Sequence, residues 1–172
     1  MTTVGIVGTG AMGSALGARL RDGGCRVVAC LAGRSERSRV FAAGAGIEEL
    51  ASLGDVLDAA DAVLSVVPPE AALDVAAALA TAAPQVGGRP LVADLNAVSP
   101  TTARRIGEVL RDAGLELVDG SISGPPPAVA GTTRFGGAGA MTPCWAAPVP
   151  ICWSASWAMI CSTVARTATP TG

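Results

Sequence analysis

Gly8-Thr9-Gly10-Ala11-Met12-Gly13 stands between a β-branched run, Thr3 to Val7, and an alanine- and leucine-rich segment, Ala11 to Leu20, with helical spacing. This G-x-G-x-x-G arrangement constrains the chain more than any other feature, because it dictates a strand, a tight turn and a helix in that order. Gly8 permits the turn, Gly10 lets a pyrophosphate approach the backbone, and Gly13 lets the helix pack on the strand. Unpaired N–H groups at the helix N-terminus then face the anion.

The rest of the chain to Asp119 repeats the alternation. Val27 to Cys30 follows the Gly23-Gly24 break and leads to a helix opened by Ser35 that closes near Gly44. Ile47 to Leu50 is a weak third strand, and Ser52 with Asp55 forms a capping box for a short helix. Ala62 to Val67 is a fully buried strand ended by Pro68-Pro69, where an alanine-rich helix begins. Leu91 to Leu95 comes next, then a helix capped by Ser99-Pro100 that stops at Gly114, then a sixth strand from Leu115 to Val118. Such spacing predicts an α/β fold: a doubly wound, Rossmann-type parallel sheet with helices on both faces.

An NAD-binding turn of this kind usually has an acid about twenty residues beyond the glycines to hold the ribose 2′-hydroxyl. Here Cys30-Leu31-Ala32 occupies that place, and Gly33-Arg34-Ser35-Glu36-Arg37 follows. Arg34 and Arg37 offer guanidinium groups, and Ser35 a hydroxyl, at the start of a helix, which suits a 2′-phosphate. The expected cofactor is therefore NADP (NADPH), with NAD as the lesser choice.

A formal charge of −2 and a pI near 5.0 exclude the basic surface that nucleic-acid binding needs. There is no Lys, His or Tyr in the sequence, so no catalytic side chain is assigned, and no metal site either. The odd set Cys25, Cys30, Cys144, Cys152 and Cys161 reads as reduced thiols of a cytoplasmic protein. The start of the chain does not read as a signal peptide, and Ile151 to Val164 is too short to span a membrane.

The longer run from Gly8 to Leu16, with its Met12, resembles the opening of the β-hydroxyacid dehydrogenases, the group of 3-hydroxyisobutyrate and 6-phosphogluconate dehydrogenases. The resemblance continues through Ser65-Val66-Val67-Pro68, Asp94-Leu95-Asn96-Ala97-Val98-Ser99-Pro100 and Asp119-Gly120-Ser121-Ile122-Ser123-Gly124. It implies that Val67 and Pro68 line the cofactor, that Asn96 lies beside the nicotinamide, and that Ser123-Gly124 grips the acid group of a small hydroxy acid or related carbonyl. Asp94 is expected to bond backbone in that loop. Pro125 stands where the family usually has a second glycine.

Past Arg134 the family pattern is lost. No Asp or Glu follows Asp119, and Trp145, Trp153 and Trp157 all lie in the tail. The expected division is a dinucleotide-binding domain over 1–134 and an irregular tail over 135–172, with 136–140 as a loop. The resemblance also implies a helical domain that carries the catalytic lysine and most of the dimer contact, and the chain shows no trace of either. The expectation is a truncated or frame-shifted oxidoreductase domain. The alternatives are a non-catalytic nucleotide-binding fragment and a relative of the imine or pyrroline-carboxylate reductases.

Overall fold

The computed structural model describes residues 1–127 and the backbone of residues 134–137. Alternating elements build one sheet: β1 (Thr3–Val7), α1 (Ala11–Asp22), β2 (Arg26–Cys30), α2 (Glu36–Gly44), β3 (Glu48–Leu50), α3 (Leu53–Ala59), β4 (Ala62–Ser65), α4 (Ala72–Ala82), β5 (Leu91–Asp94), α5 (Pro100–Asp112), β6 (Glu116–Ser123) and β7 (Arg134–Gly137). The strand order is β3-β2-β1-β4-β5-β6-β7, parallel throughout except that β7 runs antiparallel to β6. The order reverses between β1 and β4, so the chain leaves the two strands toward opposite sides and a crevice opens beyond their carboxyl ends.

The central strands β1, β4 and β5 are apolar on both faces because both faces are covered. On one side Val4, Ile6, Leu64 and Ala93 pack with Leu16 and Leu20 of α1. On the other Val28, Val63 and Val92 pack with Val56 of α3, Leu79 of α4, and Ile106 and Leu110 of α5. Close approach is secured by small residues. A Cβ on Gly5 would lie 2.6 Å from Val56 Cγ1, and one on Gly17 would lie 2.8 Å from Ile47 Cδ1. Ser35, Ser52 and Ser99 each cap the helix that follows, accepting the N–H groups of Ser38, Asp55 and Thr102.

Several boundaries differ from the sequence reading, most of them by one or two residues. β4 ends at Ser65 rather than Val67, since the Val67 N–H turns away to a side chain, and a short 3-10 turn, Pro69–Ala71, precedes α4. β6 runs on from Val118 to Ser123 because its end pairs with β7, Gly120 opposite Gly137 and Ser123 opposite Arg134. Residues 136 and 137, expected in a loop, belong to that strand. The remainder of the expected tail, with Cys144, Cys152 and Cys161, lies outside the described residues.

Candidate functional site

The three glycines of the β1–α1 turn are required in different ways. Gly8 has φ +101°, and a Cβ there would overlap the Val66 carbonyl oxygen. A Cβ on Gly13 would collide with the Gly8 carbonyl oxygen, with Ile6 Cγ2 at 3.4 Å on another side. Gly10 has an ordinary φ of −74°, and a Cβ there would meet nothing within 4 Å. Among the described residues neither conformation nor packing asks for glycine at that position, so the open shelf in front of it is available to an outside group.

The same position is the N-cap of α1, without a side-chain cap, and the first turn of the helix contains no acid. Gly10 and Ala11 are exposed and Met12 is half-buried. Unpaired N–H groups and the positive end of the helix dipole therefore meet at an accessible, acid-free surface, which fits an anion such as a pyrophosphate. Beside it the buried Thr9 Oγ1 has no hydrogen-bond partner among the described residues.

Beyond the end of β2 the chain turns at Gly33, φ +70°, and Ala32 to Arg37 are exposed. Arg34, Ser35 and Arg37 thus share the start of α2, as the sequence implies, but they are engaged differently. The Ser35 hydroxyl already accepts the Ser38 N–H at 3.3 Å. The Arg37 guanidinium carbon lies 5.4 Å over the Phe41 ring. The Arg34 guanidinium has no acceptor among the described residues. Arg39, not singled out in the sequence, is held by Glu49 at 3.4 Å and by the Leu31 carbonyl at 2.9 Å.

The second loop, Val66 to Pro68, is fixed by Asn96. The Asn96 Oδ1 accepts the Val67 N–H at 2.8 Å, and its Nδ2 donates to Ser65 Oγ at 3.0 Å and to Asp94 Oδ1 at 2.5 Å. All three side chains are buried. Asp94 therefore serves a side-chain amide rather than the backbone alone. Residues i and i+2 at a strand end face the same way, so the Asp-x-Asn spacing is the signal that points to the pair. Burial pushes the Asp94 carboxyl above the ordinary aspartate range; Ser65 and Asn96 pull it back, and nearby Asp119 adds to the rise. Burial raises Asp119 as well.

Ser123 closes β6, Gly124 follows with φ +110°, and both are exposed. The Ile122 N–H donates to the Leu95 carbonyl at 3.1 Å, which sets this segment beside the end of β5. Arg19 of α1 donates from Nε to the Pro127 carbonyl at 3.0 Å. A separate groove of about 850 Å³ runs between α5 and β6, lined by Arg104, Glu108, Arg111, Leu117 and Asp119 among others. None of the glycine-turn residues lines it. Backbone geometry at the glycine turn locates the site.

Comparison with known proteins agrees with this geometry. Residues 3–149 match the model of the NAD binding domain of 6-phosphogluconate dehydrogenase. The conserved protein MTH1747, of unknown function and described as structurally similar to 3-hydroxyacid dehydrogenases, is 32% identical with a TM-score of 0.66, over 77% of this chain and 48% of that one. Mycobacterium tuberculosis 3-hydroxyisobutyrate dehydrogenase, solved with L-serine, is 23% identical with a TM-score of 0.61, over 73% of this chain and 42% of that one. An imine reductase from Pseudomonas sp. shares the fold at 19% identity and a TM-score of 0.62, over 76% of this chain and 44% of that one. The chain thus spans less than half of each of these structures. A search of curated proteins finds no match. With most of its length matched, and with the glycine turn at the carboxyl ends of a parallel sheet, the chain belongs to the family of the NAD-binding domain of 6-phosphogluconate dehydrogenase.

Proposed function

We propose that this chain binds NADP in preference to NAD along the carboxyl edge of its sheet. In this reading it is the cofactor half of an oxidoreductase for a small hydroxy acid or the related carbonyl. The observation that carries the reading is Gly10, a glycine that nothing among the described residues requires, facing open space at the N-terminus of α1. Gly8, Gly10, Ala11, Met12 and Gly13 cradle the pyrophosphate. Arg34, exposed and without an acceptor among the described residues, meets the 2′-phosphate beside Ser35 and Arg37. Val67, Pro68 and Asn96 shape the nicotinamide end. Ser123 and Gly124 offer a hydroxyl and a backbone N–H to a carboxylate. The nicotinamide, when bound, supplies hydride-transfer chemistry.

A second reading, nucleotide binding without turnover, is favoured by the absence of Lys, His and Tyr from the sequence. The Cys30 thiol, outside any disulfide among the described residues, supports a cytoplasmic setting; among the described residues no helix is long and apolar enough to cross a membrane. Fluorescence titration with NADPH and NADH tests the proposal. Tighter NADPH binding supports it, equal affinities remove the NADP preference, and binding of neither removes the whole reading. A turnover assay in parallel separates the two readings.

A further inference from the structure

The two loops at the carboxyl edge of the sheet are in direct contact. The Val66 carbonyl oxygen and, at 2.8 Å, Val67 Cγ1 crowd the place that a Cβ on Gly8 would take, so displacement of Val66-Val67 alters the seat of the glycine turn. What holds Val66-Val67 is partly the sheet, through the Val66 N–H to the Val7 carbonyl at 2.8 Å, and partly the Asn96 side chain, through the Val67 N–H. Asn96 works only in one orientation. If its carboxamide flipped, an N–H would face the Val67 N–H and an oxygen would face Asp94 Oδ1. The carboxylate accepts and never donates while ionised, so it selects the orientation in which Nδ2 points toward it and Oδ1 toward Val67.

We propose that Asp94 is a positioning residue for the dinucleotide. Its carboxylate orients the Asn96 carboxamide, which clamps the Val66-Val67 backbone against Gly8 and so sets the shape of the phosphate turn. Ser65, opposite Asp94 in the β4–β5 register, accepts the second Nδ2 proton and completes the restraint. Every polar atom of the Asn96 amide is thereby used inside the protein. Asn96 influences the cofactor through the loop it holds and not by spending its own donors on a ligand. Asp94 Oδ2 has no hydrogen-bond partner among the described residues, and both oxygens are shielded within a residue that is 3% exposed. The role is therefore mechanical, because no ligand can reach the carboxyl.

The role in cofactor binding rests on the dinucleotide reading above, so the test has one arm that does not need the cofactor. In the unliganded chain, exchange of the Val67 amide hydrogen reports the clamp. Asp94→Ala and Asn96→Ala should each speed that exchange by about tenfold or more, the effect of losing one buried hydrogen bond, while Asp94→Asn, whose carbonyl replaces Oδ1, keeps the protection. In the second arm Asp94→Ala weakens NADPH binding by about tenfold and Asp94→Asn restores it to within a few-fold, with circular dichroism showing the sheet intact in both. Unchanged Val67 exchange in Asp94→Ala overturns the clamp. Faster exchange with undiminished NADPH affinity overturns the positioning role. An equal loss of affinity in Asp94→Asn and Asp94→Ala also overturns it, since the carbonyl then does not rescue. Wild-type chain that binds neither NADPH nor NADH removes the dinucleotide reading and this role with it, whatever the exchange arm shows.

Discussion

Asp94 and Asp119 stand directly opposite each other on the adjacent parallel strands β5 and β6. Burial raises both carboxyls above their ordinary value of 3.8, and each is unfavourably placed as an anion.

A raised carboxyl makes folding more favourable when protonated. The contribution is complete below the unfolded-state value and is lost as pH rises through the folded one. At neutral pH the ionised Asp94 therefore costs stability, and Asp94→Asn, which keeps an acceptor for Asn96, should melt at a higher temperature than the wild type. The gap should close as the pH is lowered toward the acidic range where wild-type Asp94 takes up its proton. Thermal melts over roughly pH 4 to 8 check this. A gap that does not change with pH would show that Asp94 is not the titrating group.

The glycines of the turn should separate by what they disturb. Gly13→Ala places a methyl on the Gly8 carbonyl oxygen and should destabilise the fold by about 1–3 kcal/mol, as overpacking does. Gly10→Ala should change the melting temperature little, because the methyl meets nothing among the described residues and the stiffer unfolded chain offsets alanine's poorer fit to an N-cap. Gly10→Val should nevertheless abolish nucleotide binding while the circular dichroism spectrum stays native. Full binding by Gly10→Val would mean that the phosphate lies elsewhere.

Arg34→Ala should remove most of the preference for NADPH over NADH. Losing one charge-assisted contact to phosphate costs on the order of 1.5–3 kcal/mol, and NADH affinity should hardly change. Arg39→Ala, which breaks contacts with Glu49 and the Leu31 carbonyl, should instead lower stability while keeping the ratio of the two affinities. Calorimetric titration of both nucleotides into each variant distinguishes the outcomes.

Turnover of 3-hydroxyisobutyrate or 6-phosphogluconate by this chain alone should not exceed traces. Oxidising an alcohol by hydride transfer requires a proton to leave, and a positioned base contributes about 10²–10⁴-fold. The sequence has no Lys, His or Tyr for that task, and Asp94 is too deeply buried to touch a substrate. Robust NADP reduction by the purified chain would refute the expectation.

The sequence disclosed the elements whose signals are local. The glycine turn, the serine caps at Ser35, Ser52 and Ser99, and the apolar runs of β1, β2, β4 and β5 all sit where spacing and turn chemistry put them. The extension of β6 was not legible, because Asp119, Gly120 and Ser121 have weak strand preference and are recruited by pairing with β7, a non-local partner. The Asn96 clamp was only half legible. The resemblance singled out Asn96 itself, but Ser65 and the Val67 N–H lie 31 and 29 residues away and meet it only once β4 and β5 are in register. Arg37 illustrates the converse: its charge is plain in the sequence, while its place over Phe41 depends on the helix that carries both.

The register that brings Ser65, Asp94 and Asp119 into one row has a consequence for how the chain finds its fold. The apolar residues of β4 and β5 are nearly interchangeable, and either strand buried on both faces would tolerate a slip by one position. Asp94 would not. A one-residue shift of β5 turns its side chain to the opposite face, among Leu64 and Ile6, where Ser65 no longer stands opposite it. A carboxyl moved into such apolar surroundings carries a desolvation cost that is large beside the roughly 5–15 kcal/mol stability of a domain. The acid that is a burden in the finished sheet is thus also the mark by which misaligned sheets are rejected during folding.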